Sequence, residues 1–219
     1  MSIRAVISDM DGVIVNSETE HFLSFQKMLR LDYGIDYTHH EDKEFLGTTD
    51  VHVFTILKQR YPQIKESMEE LIERRTSLFV EIFKSRIKPL PGVYELFDYF
   101  KSKHIPMAVG TSASKKVAEF TLNHLKLISY FKTVVCAADV TRGKPYPDIF
   151  LEAAKRLKTP PADCLVLEDS AYGVQAAKAA GMKCIAIPCG PTLKQDTSQA
   201  DHIVKSLIDI TPKLLESFH

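Results

Sequence analysis

Two aspartates, Asp9 and Asp11, stand one residue apart just after an early apolar run (residues 3–7), and Gly12 follows them in the stretch SDMDGVIVNSE. Later apolar runs deliver polar groups in the same way. Thr111 and Ser112, with Ala113 beside them, follow residues 105–109. Lys144 lies in RGKPYPD, after residues 134–137. Glu168 and Asp169 follow residues 164–167 in LEDSAYG. Four carboxylates gathered at one place are unfavourable unless a hard cation neutralises them, and an oxygen-only donor set suits Mg2+. Mg2+ usually keeps several waters and binds through a few carboxylates plus a substrate phosphate. Lys144, with the hydroxyl and amide groups of Thr111 and Ser112, would then hold the remaining anionic oxygens. One aspartate becomes a nucleophile, since carboxylates form aspartyl-phosphate intermediates. The other moves protons as acid and base, and Gly12 lets the backbone turn closely around the reacting group.

These residues share a site only if the elements before them are parallel strands. The runs at residues 3–7, 105–109, 134–137, 164–167 and 184–187 are short, nearly continuous and rich in Val and Ile, as strands buried on both faces are. Residues 202–204 suggest a weaker edge strand. Helical patterns fall between the runs at 93–103, 114–127, 148–157 and 172–180, the second with a Ser cap and the last ending at Gly181. Strand–helix alternation with right-handed crossovers gives a doubly wound α/β core with a parallel sheet. Ligands of such sheets bind outside the carboxyl ends of the strands, which is where the polar groups fall.

Residues 17–86 break the alternation. They show helical stretches at 20–31, 50–61 and 66–84 and no convincing strand, so they read as an all-helical insertion. IKPLPG (residues 87–92) returns the chain to the core. The expected organisation is a core of residues 1–16 and 87–219 and a helical cap domain of residues 17–86.

With 28 basic and 28 acidic residues in 219, the chain has no broad attraction for nucleic acid or an anionic membrane. Hydrophobic residues make up 45%, enough for a buried core, and 26% are charged. No apolar run approaches the roughly 20 residues of a membrane span. Asp9 and Asp11 interrupt the only early apolar run, so no signal peptide is expected and the location is taken as cytoplasmic. The four cysteines (Cys136, Cys164, Cys184, Cys189) form no CxxC pair and read as small, reduced residues, three of them in or beside strands.

The four motifs together carry a family resemblance. In order, SDMDGVIVNSE, VGTS, GKPYPD and LEDSAYGVQAAKAAGM resemble the motifs of haloacid dehalogenase superfamily phosphohydrolases, in the beta-phosphoglucomutase-like and sugar-phosphatase branch with a helical cap. The resemblance runs from about residue 3 to residue 206. It implies a Rossmann-like three-layer core and a Mg2+ cofactor. Asp9 would be nucleophile and metal ligand. Asp11 would be acid/base, with its carbonyl on the metal. Thr111 and Ser112 would bind the phosphoryl group, together with Gly12 and Ala113. Lys144 would bridge nucleophile and phosphate, and Glu168 and Asp169 would complete the metal site. His21, Gly47 and Thr48 are candidate substrate-binding residues of the cap. Two positions depart from the family pattern: Ser8 stands where a large apolar residue is common, and Asn16 where Asp is usual.

Blander readings exist for each feature. An EF-hand needs Gly at its sixth position, and Gly12 is fourth from Asp9. Glu168 and Asp169 could cap the following helix as well as bind a metal. THHED (residues 38–42) reads as a solvated loop, since adjacent histidines point poorly at one ion. GVQAAKAAG lacks GxGxxG and reads as a closely packed helix. The expected function is a Mg2+-dependent phosphatase acting on a small phosphorylated metabolite such as a sugar phosphate, in a monomer or weak homodimer. The alternative is a phosphosugar mutase of the beta-phosphoglucomutase type. A mutase must hold a second phosphate, and the corresponding cap stretch, EFLGTTDVH (residues 44–52), contains no Lys or Arg. A non-catalytic binding protein on the same fold is the third reading, and the full set of acid, base and ammonium groups argues against it.

Overall fold

A computed structural model of the chain describes residues 3–45, 48–84 and 86–218. In chain order the elements are β1 (Ala5–Ser8), α1 (Glu18–Tyr33), α2 (His39–Asp42), α3 (Asp50–Arg60), α4 (Met68–Phe83), α5 (Val93–Ser102), β2 (Met107–Gly110), α6 (Lys115–His124), β3 (Phe131–Val135), α7 (Asp148–Leu157), β4 (Cys164–Glu168), α8 (Ala171–Ala179), β5 (Lys183–Ala186), β6 (His202–Ile203) and α9 (Pro212–Glu216). They fall into two compact units, Met1–Asn16 with Lys88–His219, and Ser17–Ile87. The helical unit reaches one residue past the expected 86, because the Ile87 amide still donates to the Phe83 carbonyl at the end of α4.

The first unit is built on a six-stranded sheet in the order β3-β2-β1-β4-β5-β6, and every pairing is parallel. β1, β2 and β4 are buried along their whole length, which is why they read as unbroken apolar runs. β3 begins three residues before the expected 134. It flanks the sheet, with Lys132 exposed and Val135 buried, so its first half shows no continuous apolar signal. Beyond Val135 the chain leaves the ladder in a turn held by the Cys136 amide donating to Asp139 Oδ2 at 2.8 Å.

The strand order decides where a ligand can bind. The chain runs outward from β1 to β2 to β3, then returns to the other side of β1 with β4 and runs outward again. The order therefore reverses between β1 and β4, and the loops leaving these two strands diverge to open a crevice at their carboxyl ends. Asp9 directly follows β1, and Asp169 directly follows β4. Ser8 pairs with Leu167 in register, so the two acidic ends lie level.

The second unit has its own core, in which Phe22, Phe25 and Leu29 of α1 meet Phe54 of α3 and Leu71 and Leu78 of α4. α4 starts at a reciprocal cap between Ser67 and Glu70. Residues 38–42 are not the expected loop. Thr38 and Glu41 form the same kind of capping box, which starts the single turn α2, and His39 stacks on Phe22 with ring centroids 3.6 Å apart. The T-x-x-E spacing is the signal that loop reading passed over. Among the described residues, no histidine belongs to a cluster able to hold a metal ion, and no helix is long and apolar enough to cross a membrane.

Candidate active site

Two strand ends, those of β1 and β4, converge on one buried ammonium. Lys144, in the loop after β3, donates to Asp9 Oδ1 at 2.7 Å and to Glu168 Oε1 at 2.5 Å. Its side chain is 4% exposed, and the Phe150 ring lies 5.0 Å from its nitrogen. One carboxylate oxygen from each of Asp9, Glu168 and Asp169 lies within 4.8 Å of the others. Three buried carboxylates thus face a single ammonium, which leaves negative charge uncompensated.

The ionisation of these groups follows from that imbalance. Burial pushes the Asp9 carboxyl up to about 7; the Lys144 ammonium opposes the shift, and the Glu168 and Asp11 charges add to it. Asp169 is also held well above the usual carboxylate range, by burial first and then by the charges of Glu168 and Asp9. Burial alone would lower Lys144, but the attraction of Asp9 and Glu168 outweighs it and keeps the ammonium protonated. A divalent cation among these oxygens would relieve the disfavoured charge. The donor set, all hard carboxylate oxygen, fits such an ion.

Local backbone chemistry brings the groups this close. Gly12 has a φ of +85°, and a Cβ there would lie 2.1 Å from Asp169 Oδ2. Only glycine allows the loop after β1 to press against the loop after β4. Ser8 is fully buried and donates to the Asp9 carbonyl at 2.7 Å, which gives this departure from the family pattern a local role. Glu168 is fixed by its second oxygen, Oε2, which accepts from the Asp169 amide (2.8 Å), the Ser170 amide (2.8 Å) and the Ser170 hydroxyl (3.0 Å). Ser170 in turn caps α8 by accepting from the Gly173 amide at 3.1 Å. A Cβ on Gly173 would lie 1.7 Å from Glu168 Oε1. Glu168 therefore supports the start of α8 as well as the acidic cluster.

Asp11 is half-buried within the same loop, and its charge acts on Asp9. Thr111 is buried one residue past β2, the strand beside β1, and its hydroxyl accepts from the Ala113 amide at 3.1 Å. Ser112 and Ala113 are half-buried in the same turn. His21 and Thr48 belong to the helical unit, and Gly47 lies outside the described residues. Inside the helical unit His21 stacks on Phe79, with ring centroids 4.4 Å apart, and its Nδ1 lies 3.0 Å from Arg75 Nη1. A second Arg75 nitrogen, Nη2, donates to Asp50 Oδ1, the third, Nε, is buried without a hydrogen-bond partner, and the guanidinium lies 5.0 Å from the centre of the Phe25 ring.

Sequence reasoning missed two contributors: Gly173, and Cys189, whose thiol donates to the Gly12 carbonyl at 3.3 Å. Gly173 had a readable signal, three residues after a helix-capping Ser. Cys189 had none, because only the folded chain singles it out.

The model of the haloacid dehalogenase-like hydrolases matches residues 6–187. The chain belongs to that family. It is 36% identical over 209 residues to a bifunctional riboflavin kinase/FMN phosphatase of Arabidopsis thaliana, covering 94% of this chain but only 54% of that protein's length. It is 35% identical over 181 residues to a phosphorylated carbohydrates phosphatase of Thermotoga maritima, covering 83% of each. Among solved structures, CbbY from Rhodobacter sphaeroides in complex with phosphate matches with a TM-score of 0.85 and 26% identity, over 95% of this chain and 96% of that one.

Proposed function

We propose that this protein is a Mg2+-dependent phosphatase that hydrolyses a small phosphate monoester, such as a sugar phosphate, through an aspartyl-phosphate on Asp9. The observation that carries the reading is the convergence of Asp9, Lys144, Glu168 and Asp169 at the crevice where the strand order reverses. Relatives named as phosphatases, and a related structure solved with phosphate, support it.

Asp9 and Asp169, with Glu168 and the Asp11 carbonyl, would hold the ion. When bound there, Mg2+ supplies positive charge for the oxygens of the transferring phosphoryl group. The remaining work falls to side chains. Asp9 Oδ attacks phosphorus while the ester P–O bond breaks, and Asp11 gives its proton to the leaving oxygen. Water then attacks the phosphorus of the acyl phosphate, Asp11 takes up its proton, and the P–O bond to Asp9 breaks to release phosphate. Lys144 orients Asp9 and offsets charge on the equatorial oxygens, and the Thr111 hydroxyl with the Ser112 and Ala113 amides provides further donors.

The helical unit would serve as the cap that selects the substrate, with His21 and Thr48 as candidate contacts. Its stretch 44–52 offers no Lys or Arg, and its Asp50 is already paired with Arg75, so it is poorly suited to a second dianion. This favours hydrolysis over phosphate transfer between sugar hydroxyls. The test is phosphate release from a panel of small monoesters, including beta-glucose 1-phosphate, with Mg2+ and with a chelator. Metal-dependent release is expected. No release, with glucose 6-phosphate formed from beta-glucose 1-phosphate once a bisphosphate primer is added, would make the protein a mutase.

A further inference from the structure

The loop after β5, residues 187–195, carries none of the four motifs, yet it is tied to both acidic loops of the site. It leaves the sheet with the Ile187 amide donating to the Glu168 carbonyl at 2.6 Å. The Cys189 thiol then donates to the Gly12 carbonyl at 3.3 Å. Further along, the Gln195 side-chain oxygen accepts from the Ala171 amide at 2.8 Å. Gly12 directly follows Asp11, and Ala171 lies two residues past Asp169, at the start of α8. Neither Gly12 nor Ala171 has a polar side chain, so hydrogen bonds can hold the chain at these points only through the backbone. The Ala171 amide is also one of the first-turn helix donors that have no intrahelical acceptor, and Gln195 supplies one.

The stretch between the two anchors is stapled to itself. The Cys189 amide donates to the Thr192 hydroxyl at 2.9 Å, and that hydroxyl donates to the Cys189 carbonyl at 2.7 Å. The Gln195 amide donates to the Thr192 carbonyl at 2.9 Å. A displacement at one anchor is therefore passed to the other rather than absorbed between them. We infer that residues 189–195 form a clamp in which Cys189 and Gln195 are positioning residues. They hold the loop carrying Asp9 and Asp11 at a fixed distance from the loop carrying Asp169. Close packing of Gly12 on Asp169 sets how near the two loops can come. The clamp sets how far they can part. Both residues act through Gly12 and Ala171 rather than on the ester. A misplacement of about 1 Å among reacting groups costs roughly 100-fold in rate, so a partly released loop is felt in turnover.

This inference rests on the phosphatase reading above, and its test separates the two. Cys189→Ala, Gln195→Met and the double variant are assayed for phosphate release with Mg2+ on the best ester of the panel, with Cys189→Ser as the rescue. Ala removes the donor, Met removes the acceptor at similar length, and Ser restores a donor. Each single variant should lower kcat by roughly tenfold with KM unchanged. The double variant should lose no more than the slower single one, since releasing either anchor opens the same clamp. Cys189→Ser should recover most of the loss. Gln195→Ala replaces the Met variant if that chain does not fold. Losses that multiply in the double variant would overturn the inference, as would unchanged kcat in either single variant or a Ser variant as slow as the Ala one. Amide exchange reads the clamp without catalysis. The Gly12, Ile14 and Val15 amides are hydrogen-bonded within the loop after β1, and they should exchange faster in Gln195→Met although that change lies at the other anchor. If wild type releases phosphate from no ester, the phosphatase reading fails and exchange decides: faster exchange supports the clamp, and unchanged exchange overturns it.

Discussion

Two ionic clusters among the described residues are built on a buried cation, Arg75 or Lys144, and they are balanced differently. In the helical unit the Arg75 guanidinium meets the Asp50 carboxylate and His21, with aromatic rings of Phe25 and Phe79 against it. Opposite charges there are matched one to one. At the sheet end Lys144 faces Asp9, Glu168 and Asp169, and the acids outnumber it. The charges of the Arg75–Asp50 pair cancel within the chain, although Arg75 Nε is buried without a hydrogen-bond partner, and the pair acts as structure. An unbalanced cluster keeps a demand for positive charge that folding does not meet, so it is the one expected to recruit a cation and a substrate.

Breaking the unbalanced cluster at its centre should give the largest effect. Asp9→Asn should lower phosphate release by roughly 10³-fold or more, since it removes the nucleophile. Its unfolding temperature without metal should not fall, because a buried and disfavoured charge is gone. Near wild-type turnover in a phosphate-release assay would show that another group attacks.

Breaking the balanced cluster should act on stability instead. Arg75→Met leaves Asp50 without its cation, and urea unfolding should show a loss of about 3–5 kcal/mol. Adding Asp50→Asn to it should recover part of that loss. A double variant as unstable as the single one would mean that the aromatic contacts, rather than the ion pair, hold Arg75.

Gly173→Ala tests the packing that presents Glu168. Alanine ordinarily favours a helix, but its Cβ would overlap Glu168 Oε1, so we expect a loss of about 1–3 kcal/mol and a lower kcat. A gain in unfolding temperature would show that Glu168 moves aside without strain.

The smallest effect is one of pH. Folding raises the Asp9 carboxyl from its ordinary 3.8 to about 7, so the folded chain binds that proton more tightly than the unfolded chain does. Without metal, this contribution to stability is present below pH 4 and lost as pH rises through 7. A cation at the cluster counters that loss, so the rise in unfolding temperature on adding Mg2+ should be larger at pH 8 than at pH 5.5. Equal rises at both values would put the ion elsewhere.

Some of this was open to reading in one dimension. Strands buried on both faces must be apolar throughout, so β1, β2, β4 and β5 stood out, and the polar groups after them followed. β3 was legible only in its inner half because its outer half meets solvent. The four motifs named Asp9, Asp11, Thr111, Lys144, Glu168 and Asp169 because their chemistry requires those residue types just past strand ends. The sequence by itself thus determined which groups are candidates for the reaction and the parallel character of the sheet.

Tertiary structure alone decided the rest. Strand order is set by how crossovers pack, and only that order puts the acidic ends of β1 and β4 beside one another at the reversal. Arg74 and Arg75 are neighbours of identical chemistry. Folding leaves Arg74 near the surface on Asp32 and buries Arg75 at 3% exposure. Cys189 meets the Gly12 carbonyl, 177 residues away along the chain, because the loops after β1 and β5 leave the same end of one parallel sheet. Each of these depends on distances between residues far apart in the chain, and no local spacing encodes them.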